Sequence, residues 1–379
     1  ALPILLQGQK QEAASSQPVK QAPRGQVEPG VFDTVDDAIQ AAKAAQARFE
    51  DCTLATREKV IADIRAAMRP RVQELAQKTV EETGMGRVAD KVLKLNLTLD
   101  KTPGVEDLVT ECETGDNGMT LYELSAYGVI GAITPSTNPA ETLICNTIGM
   151  LAAGNAVFFS VHPGAKHLSR LLVSELNQII AKSIGIENLI VTLREPSIES
   201  AQEMMLHPDV SLLVVTGGPG VVKQALQSGK KVIGAGAGNP PAFVDETADI
   251  KKAAQDIVLG ASLDNNILCI AEKSVVAMRQ IEPQLVQEMV KVGCVLIDNQ
   301  QDIQRLVDLT VLPNGTPNKK FVGKNASVIL DAAHIPYNGD PRLIIMRTPK
   351  NHPFAVIEML MPILPVVTVD SFDEGDRKS

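Results

Sequence analysis

Tryptophan is absent from the 379-residue sequence, and aromatic residues make up only 3% of it. Hydrophobic cores must therefore be built from Val, Ile, Leu, Ala and Met, a composition that suits buried parallel strands covered by helices. No apolar run reaches the roughly 20 residues that a membrane-spanning helix requires. The formal net charge of −9 argues against binding nucleic acid through a basic surface. We therefore expect neither a membrane nor a nucleic acid as a partner.

Cysteine is also scarce, and its spacing is not that of a metal or disulfide framework. The five cysteines are Cys52, Cys112, Cys145, Cys269 and Cys294. They are widely spaced and form no C-x-x-C pair, which predicts no metal site, no disulfides and a reducing cytosol. A free cysteine is more often a small buried hydrophobe than a nucleophile. Cys145, on the face of a predicted helix, is expected in the core.

The first 30 residues differ in composition from the rest. A short apolar piece, "ALPILLQGQ", precedes a stretch rich in Gln, Ala, Ser, Pro and Gly. That composition predicts a flexible linker. The segment is either a disordered tail or a tether for a docking or targeting helix.

Helical periodicity then begins at "FDTVDDAIQAAKAAQARFE", where Asp33 or Thr34 can cap the first turn. A longer helical region is predicted from Thr56 to about Glu82. A β-rich stretch at about 118–128 predicts a ribbon that leads into a buried strand.

From Tyr127 onward, apolar strands alternate with helices of 10 to 20 residues. This alternation predicts a parallel sheet with helices on both faces, a doubly wound, Rossmann-like domain. A second α/β unit begins after about Asn239. The sequence therefore predicts two α/β domains, over 31–237 and 238–379.

Two glycine-rich stretches lie near the end of the first of these units, and the second stretch crosses the boundary. "VVTGGPG" (214–220) leaves a strand and enters a helix, so it is either a pyrophosphate-binding turn or a plain strand-to-helix turn. "GAGAGNPP" (234–241) is followed by prolines that favour extended backbone. We interpret it as a loop whose backbone passes another segment closely.

Several motifs together resemble one known family. "ITPSTNPAE", "AAGNAVFFSVHPGAK", "VTGGPG", "GAGAGNPPAFVD", "NNILCIAEK" and "EMLMPILPVV" occur in the order found in aldehyde dehydrogenases. They are most similar to the CoA-acylating, NAD-linked propionaldehyde and acetaldehyde dehydrogenases of bacterial microcompartments. The resemblance runs from about Phe32 to Val369. It implies two Rossmann-like domains, one binding NAD and CoA (31–237) and one catalytic and C-terminally incomplete (238–379), with the ribbon used in oligomerisation.

The resemblance implies the catalytic residues. Cys269 matches the nucleophile, which attacks the aldehyde to give a thiohemiacetal and, after hydride transfer to NAD⁺, a thioester. Asn138 matches the asparagine that stabilises the oxyanion together with the backbone N–H of Cys269. Taken alone, Asn138 before Pro139 also fits a helix cap or turn.

The resemblance also implies the cofactor-binding residues. Glu358 matches the glutamate that holds the nicotinamide ribose, although a surface charge before a strand is the alternative. The other matching positions are Thr216, Gly217, Gly218 and Pro219 at the pyrophosphate, with Pro135, Ser160 and His162 lining the cleft. NAD and CoA are expected to use this cleft in turn, in ping-pong order. His162 and His352 also fit structural roles, the latter either as a loop histidine or as a proton acceptor near the thiol.

One departure from the family predicts the fate of the thioester. Hydrolytic members place a water-activating glutamate where Ala235 stands, and its neighbours here are all Gly or Ala. Without a carboxylate as general base, water attack should be slow, which favours acyl transfer to CoA.

The resemblance implies a bacterial cytoplasmic enzyme inside a microcompartment. Its expected partners are the aldehyde, CoA, other copies of the full-length chain, and shell or core proteins reached by the N-terminal segment. Two alternatives stay open: another superfamily reductase such as a glutamyl-phosphate reductase, and a non-catalytic nucleotide-binding interaction protein.

Overall fold

Two parallel β-sheets with their helices make up residues 28–376, the part of the chain that the computed structural model describes. The predicted α/β class is therefore confirmed. The predicted N-terminal linker lies outside the described residues, apart from 28–30. No helix within the described part is long and apolar enough to cross a membrane. No three acidic, histidine or cysteine side chains there are grouped to hold a metal ion.

One short strand and four helices open the described chain. They are β1 (Val31–Phe32), α1 (Val35–Glu50), α2 (Leu54–Met68), α3 (Val72–Thr83) and α4 (Val88–Lys101). Thr34 caps α1 by accepting a hydrogen bond from the Asp37 backbone N–H. The helical region predicted from Thr56 to about Glu82 is formed by α2 and α3, which a 3-10 turn containing Pro70 separates. Helix α4 was not predicted.

A two-stranded antiparallel ribbon follows, formed by β2 (Glu111–Gly115) and β3 (Gly118–Tyr122). All of its residues are exposed. The predicted bounds of about 118–128 are wrong, since the ribbon starts at Glu111 and ends at Tyr122. Its use in oligomerisation stays a prediction.

The first sheet carries the predicted alternation of strands and helices. Its remaining elements are β4 (Val129–Ile133), α5 (Pro139–Ala152), β5 (Ala156–Ser160), α6 (Lys166–Ile184), β6 (Ile190–Leu193), α7 (Ile198–Leu206), β7 (Val210–Thr216), α8 (Pro219–Leu226) and β8 (Lys231–Ala235). The strand order is β1-β6-β5-β4-β7-β8, and all pairs are parallel. The order reverses between β4 and β7. In such sheets the ligand crevice lies outside the carboxyl ends of the strands at this switch point.

The second sheet has the order β11-β12-β13-β10-β9, again parallel throughout. Its elements are β9 (Pro241–Val244), α9 (Ile250–Ser262), β10 (Ser274–Met278), α10 (Glu282–Lys291), β11 (Cys294–Leu296), α11 (Gln300–Thr310), α12 (Ala326–Ala332), β12 (Leu343–Arg347), α13 (Pro353–Val356), β13 (Ile363–Val369) and α14 (Phe372–Asp376). Of the apolar run at 356–369, only the second half is a strand. Leu360, with φ of 53°, turns the chain before it.

The cores are aliphatic, as the composition predicts, and Phe158 and Phe159 on β5 are among their largest fully buried side chains. The core position expected for Cys145 is wrong, because this residue of α5 is exposed. Cys294 is buried, and burial raises the pKa of its thiol to about 12. A thiol held neutral in this way is chemically inert.

Candidate active site

Three loops meet where the second sheet begins. The loops at 236–240, 263–273 and 357–362 precede β9, β10 and β13, respectively. Those strands are neighbours in the order β13-β10-β9 and run parallel, so their amino ends share one edge of the sheet. This topology brings Gly238, Cys269 and Glu358 together, although they are far apart in sequence.

Gly238 lies against the backbone of the cysteine. A Cβ atom placed on Gly238 would stand 2.6 Å from the carbonyl oxygen of Cys269. The Gly238 backbone also hydrogen-bonds the Glu358 carboxylate. The next residue, Asn239, donates from Nδ2 to the carbonyl of Ala355 at 3.0 Å. The loop therefore passes its neighbours as tightly as the glycines of "GAGAGNPP" predict.

An unusual left-handed turn precedes the cysteine. Asp264, Asn265 and Asn266 have φ values of 49°, 56° and 62°. Asp and Asn are the non-glycine residues that best tolerate this conformation. All three are buried, and Asn266 Nδ2 donates to the carbonyls of Ala261 (2.6 Å) and Glu272 (2.9 Å). This turn presents Cys269 half-buried at the edge of the sheet.

Lys273 is a buried cation on the far side of the cysteine loop. Its Nζ donates to Asn266 Oδ1 at 2.6 Å and to the carbonyls of Asn266 and Leu268 at 3.0 and 2.5 Å. Burial lowers its pKa to about 8, against the opposing influence of Glu358, Cys269 and Glu272. Its charge therefore acts on both the thiol and the Glu358 carboxylate. Sequence reasoning missed this residue, although a lysine at the entry of a fully buried strand was a usable signal.

Glu358 is half-buried rather than a free surface charge. Burial raises its pKa, and the Gly238 backbone and Lys273 only partly offset that effect. Its Oε1 atom is buried and has no hydrogen-bond partner among the described residues. A buried acceptor without a donor fits the hydroxyl of a bound sugar. The residue thus fits the ribose contact that the family resemblance implies.

The remaining predicted positions lie at the carboxyl ends of the first sheet. Pro135 and Asn138 follow β4, Ser160 ends β5, and Thr216 ends β7. Gly217 and Gly218 then lead into α8, whose first residue is Pro219. Because β4 and β7 flank the switch point, these loops border the expected crevice.

Both candidate histidines cap short helical turns. His162 Nδ1 accepts from the Gly164 backbone at 3.0 Å, and His352 Nδ1 accepts from Phe354 at 3.2 Å. Burial lowers the pKa of each, and for His162 the nearby Lys319 lowers it further. One ring nitrogen of each is thus used structurally. The loop interpretation of His352 fits this geometry.

Asn138 stands at the first position before α5 but makes no side-chain cap bond. Its Nδ2 donates to Thr137 Oγ1 at 3.2 Å, and its Oδ1 accepts from Lys94 Nζ. Asn138 therefore occupies the position before the helix, as the alternative interpretation has it, but its side chain does not cap the helix. Its amide is instead held by a lysine from α4.

That lysine also holds the cysteine turn. Lys94 Nζ lies 2.6 Å from Asp264 Oδ2, and Lys91 Nζ lies 3.0 Å from the same oxygen. The backbone N–H of Arg87 donates to the other Asp264 oxygen at 2.8 Å. Asp264 and Lys91 are fully buried and Lys94 nearly so. Lys94 of α4 thus links Asn138, the candidate oxyanion donor, to the turn that precedes Cys269, the candidate nucleophile.

Sequence reasoning missed this network, but α4 carries a signal for it. Leu93 and Leu97 are 58% and 57% exposed, whereas Lys91 and Lys94 on the same helix are buried. Leu95 and Leu99 of α4 are buried in the ordinary way, so the two lysines share the buried face with leucines, which is unusual for a helix of a globular protein.

Comparison with known proteins adds to this geometry. The model of the aldehyde dehydrogenase family matches residues 5–377. The chain belongs to the aldehyde dehydrogenase family. A propanal dehydrogenase (CoA-propanoylating) of Salmonella typhimurium is 49% identical to this aldehyde dehydrogenase over 347 residues, 91% of this chain and 74% of the relative. An acetylating acetaldehyde dehydrogenase of the same organism is 45% identical over 354 residues, 92% of this chain and 75% of the relative.

Solved structures of similar proteins superpose on this aldehyde dehydrogenase. A Rhodopseudomonas palustris propionaldehyde dehydrogenase with bound propionyl-CoA has a TM-score of 0.89 and 48% identity, covering 92% of this chain and 78% of its own. A propionaldehyde dehydrogenase from the Clostridium phytofermentans fucose utilisation bacterial microcompartment has a TM-score of 0.89 and 47% identity, covering 93% and 80%. The predicted family and fold are therefore confirmed.

Proposed function

We propose that the chain oxidises a short aliphatic aldehyde, propionaldehyde or acetaldehyde, with NAD⁺ and CoA to acyl-CoA and NADH. Relatives that carry out CoA-propanoylating and acetylating reactions support this activity. A Rhodopseudomonas palustris relative also binds CoA and carries an acylated cysteine. The observation in this chain that carries the proposal is the contact of Gly238 with Cys269, because it places a loop without any ionisable side chain beside the thiol.

The first step is attack on the aldehyde. The Cys269 thiolate forms a C–S bond to the carbonyl carbon, and the carbonyl oxygen takes the negative charge. The amide of Asn138 and the backbone N–H of Cys269 donate to that oxygen. One such donor lowers the activation barrier by about 3 kcal/mol. Lys273 contributes a buried positive charge beside the cysteine loop, where it interacts with negative charge on Cys269.

NAD would lie in the crevice of the first sheet. The turn from Thr216 to Pro219 would hold its pyrophosphate at the start of α8, with Pro135, Ser160 and His162 along the cleft. Glu358, with its unpartnered buried Oε1, would accept from the nicotinamide ribose. Bound NAD⁺ would supply the hydride acceptor, which leaves a thioester on Cys269.

The chain then directs the thioester to CoA. The CoA thiol attacks the acyl carbon, and the Cys269 thiolate leaves. Residues 234–241 contain no carboxylate or imidazole that could activate water beside the thioester. Because NAD and CoA use the cleft in turn, NADH leaves before CoA enters, which is ping-pong order.

The wider assignments are part of this proposal. Residues 31–237 form the nucleotide-binding domain and 238–379 the catalytic domain. The exposed ribbon of β2 and β3 joins copies of the full-length chain. The enzyme acts in the bacterial cytoplasm inside a microcompartment, and the N-terminal segment contacts shell or core proteins. The microcompartment origin of a similar structure supports this location.

The two alternatives have less support. A glutamyl-phosphate reductase needs a phosphate-binding site, and none of the described active-site loops carries an arginine cluster for one. A non-catalytic nucleotide-binding protein has no use for buried charges that hold the amide of Asn138 and the turn before Cys269.

The test is NADH absorbance with propionaldehyde and NAD⁺, with and without CoA. Turnover should require CoA and yield propionyl-CoA. Cys269→Ala should abolish it, while Cys112→Ala, which removes an exposed thiol on the ribbon, should not. Formation of free propionate at the same rate without CoA would overturn the acylating assignment.

A further inference from the structure

We propose that Lys94 is a positioning residue that decides which end of the Asn138 amide faces the aldehyde oxygen. This inference rests on the proposed function, because it concerns the oxyanion of that reaction. It assigns a role to a residue on α4, outside every loop that carries the family motifs.

The contacts of one ammonium carry the argument. Lys94 Nζ donates to Asn138 Oδ1 and to Asp264 Oδ2, and it lies 3.2 Å from Glu141 Oε1. A lysine ammonium has three hydrogens and no lone pair, so it can only donate. The amide oxygen of Asn138 must therefore point at Lys94, and Nδ2 must point the other way.

The opposite end of the amide is then available for catalysis. Nδ2 carries two hydrogens, and one of them is directed at Thr137 Oγ1, 3.2 Å away. The second hydrogen is left for the developing oxyanion. If the amide turned over, its carbonyl oxygen would face the oxyanion and repel it. In a buried site both the attraction and the repulsion are stronger than in water.

The charges of Lys94 and Asp264 hold the Asn138 amide in this orientation. Lys94 is 6% exposed, and its ammonium is balanced by the fully buried carboxylate of Asp264. A neutral polar side chain at this position, such as that of Gln, could accept as well as donate hydrogen bonds, and so would not impose one orientation on the Asn138 amide.

Lys91 provides a matched control on the same helix. It lies one turn before Lys94 and contacts the same Asp264 oxygen, at 3.0 Å. Its other contact is the backbone carbonyl of Thr137 at 3.3 Å, not the amide of Asn138. A role in supporting Asp264 would belong to both lysines, whereas a role in orienting the amide belongs to Lys94.

The kinetic test compares Lys94→Met, Lys91→Met and Asn138→Ala in the full chain. Loss of one oxyanion donor typically lowers kcat by about 100- to 1,000-fold, so misorienting it should cost about 10- to 100-fold. Lys94→Met should show this fall in kcat with KM for propionaldehyde nearly unchanged, and Lys91→Met a smaller one. In the Asn138→Ala background, Lys94→Met should lower kcat no more than Lys91→Met does, because only the shared support of Asp264 is then lost. An equal loss in both backgrounds, or equal losses from the two lysines, would overturn the inference.

Two further measurements decide the matter if the methionine variant does not fold or the chain does not turn over. Lys94→Arg, which can only donate, should retain more rate than Lys94→Gln, which can also accept; the reverse order contradicts the inference. In a ¹⁵N-asparagine NMR spectrum, the side-chain pair lost in Asn138→Ala should shift in Lys94→Gln and stay in place in Lys91→Gln. An unmoved pair would refute the orientation. The spectrum needs no turnover, so it tests the role of Lys94 independently of activity. A native chain without CoA-dependent activity would refute the proposed function and leave the result of the spectrum unchanged.

Discussion

Adding one methyl group at Gly238 should disturb the nucleophile directly. The new Cβ would lie 2.6 Å from the carbonyl oxygen of Cys269 and 3.6 Å from its carbonyl carbon. Carbon and oxygen atoms without a bond between them rarely approach closer than about 3.3 Å. The new Cβ atom and the carbonyl oxygen of Cys269 must therefore move apart by roughly 0.7 Å. The backbone of Gly238 has no left-handed φ, so the clash is the whole effect of Gly238→Ala.

The carbonyl oxygen cannot rotate away as a flexible side chain could. Either Cys269 moves, or the loop retreats and the bond from the Gly238 backbone to Glu358 is lost. A misplacement of about 1 Å can cost about 100-fold in rate, so we expect kcat to fall about 10- to 100-fold. Overpacking of this kind should also lower the free energy of unfolding by about 1–3 kcal/mol.

Gly236→Ala is the matched control, because a Cβ there meets no heavy atom within 4 Å. Single-turnover NADH formation and the rate of Cys269 alkylation by iodoacetamide should be measured for both variants. Gly238→Ala should be impaired in both assays and Gly236→Ala in neither. Equal behaviour of the two variants would refute the claim that this loop sets the position of the thiol.

Three other substitutions test the electrostatics. Glu358→Gln should raise Tm at neutral pH and should weaken NAD⁺ binding, as measured by calorimetry. Burial raises the pKa of Glu358, so the carboxyl group stabilises the fold below its ordinary pKa, and this stabilisation is lost as pH rises through the raised pKa. An unchanged Tm and affinity would contradict this. Lys273→Met should slow Cys269 alkylation at neutral pH about 3- to 10-fold, since a nearby charge contributes about 1 kcal/mol or more. Because the folded chain loses the Lys273 proton near pH 8, the difference in alkylation rate between the native chain and the variant should shrink above that pH; a difference that stays constant through pH 8 would exclude this lysine. Asp264→Asn removes the carboxylate that Lys91 and Lys94 share and leaves Lys94 with Glu141 as its remaining ion-pair partner. This should lower the free energy of unfolding in urea by about 3–5 kcal/mol, whereas Asp63→Asn, in an exposed pair with Lys59, should change it little.

Strand and helix alternation made most of the fold predictable. Buried strands such as β4 and β5 are continuous apolar runs between helices with clear ends, so local pattern and tertiary packing agree. Helix α4 was missed because its buried face mixes lysines with leucines while two other leucines are exposed, which blurs the amphipathic pattern. The ribbon bounds were wrong because every residue of β2 and β3 is exposed, and apolar alternation therefore carries no register there.

Family motifs pointed to the site residues, while the groups that hold them were not predictable. Cys269, Asn138 and Glu358 lie within short motifs whose order is readable along the chain. The role of Lys94 depends on its contacts with Asn138 and with Asp264, which are 44 and 170 residues away in sequence. A lysine followed by a leucine and an asparagine on a helix carries no mark of those contacts. Such partnerships depend on how the two sheets dock, which local patterns do not encode.

The left-handed turn before Cys269 has a consequence for the order of folding. Left-handed backbone costs a residue other than glycine up to about 1–2 kcal/mol, and less for Asp and Asn, so three in succession need support from the rest of the fold. The Asp264 carboxylate at the head of this turn is held by Arg87, which precedes α4, and by Lys91 and Lys94 in its first half. Docking of the N-terminal helices on the second half of the chain therefore supplies that support. We expect the geometry around Cys269 to depend on this docking, and not on the local sequence alone.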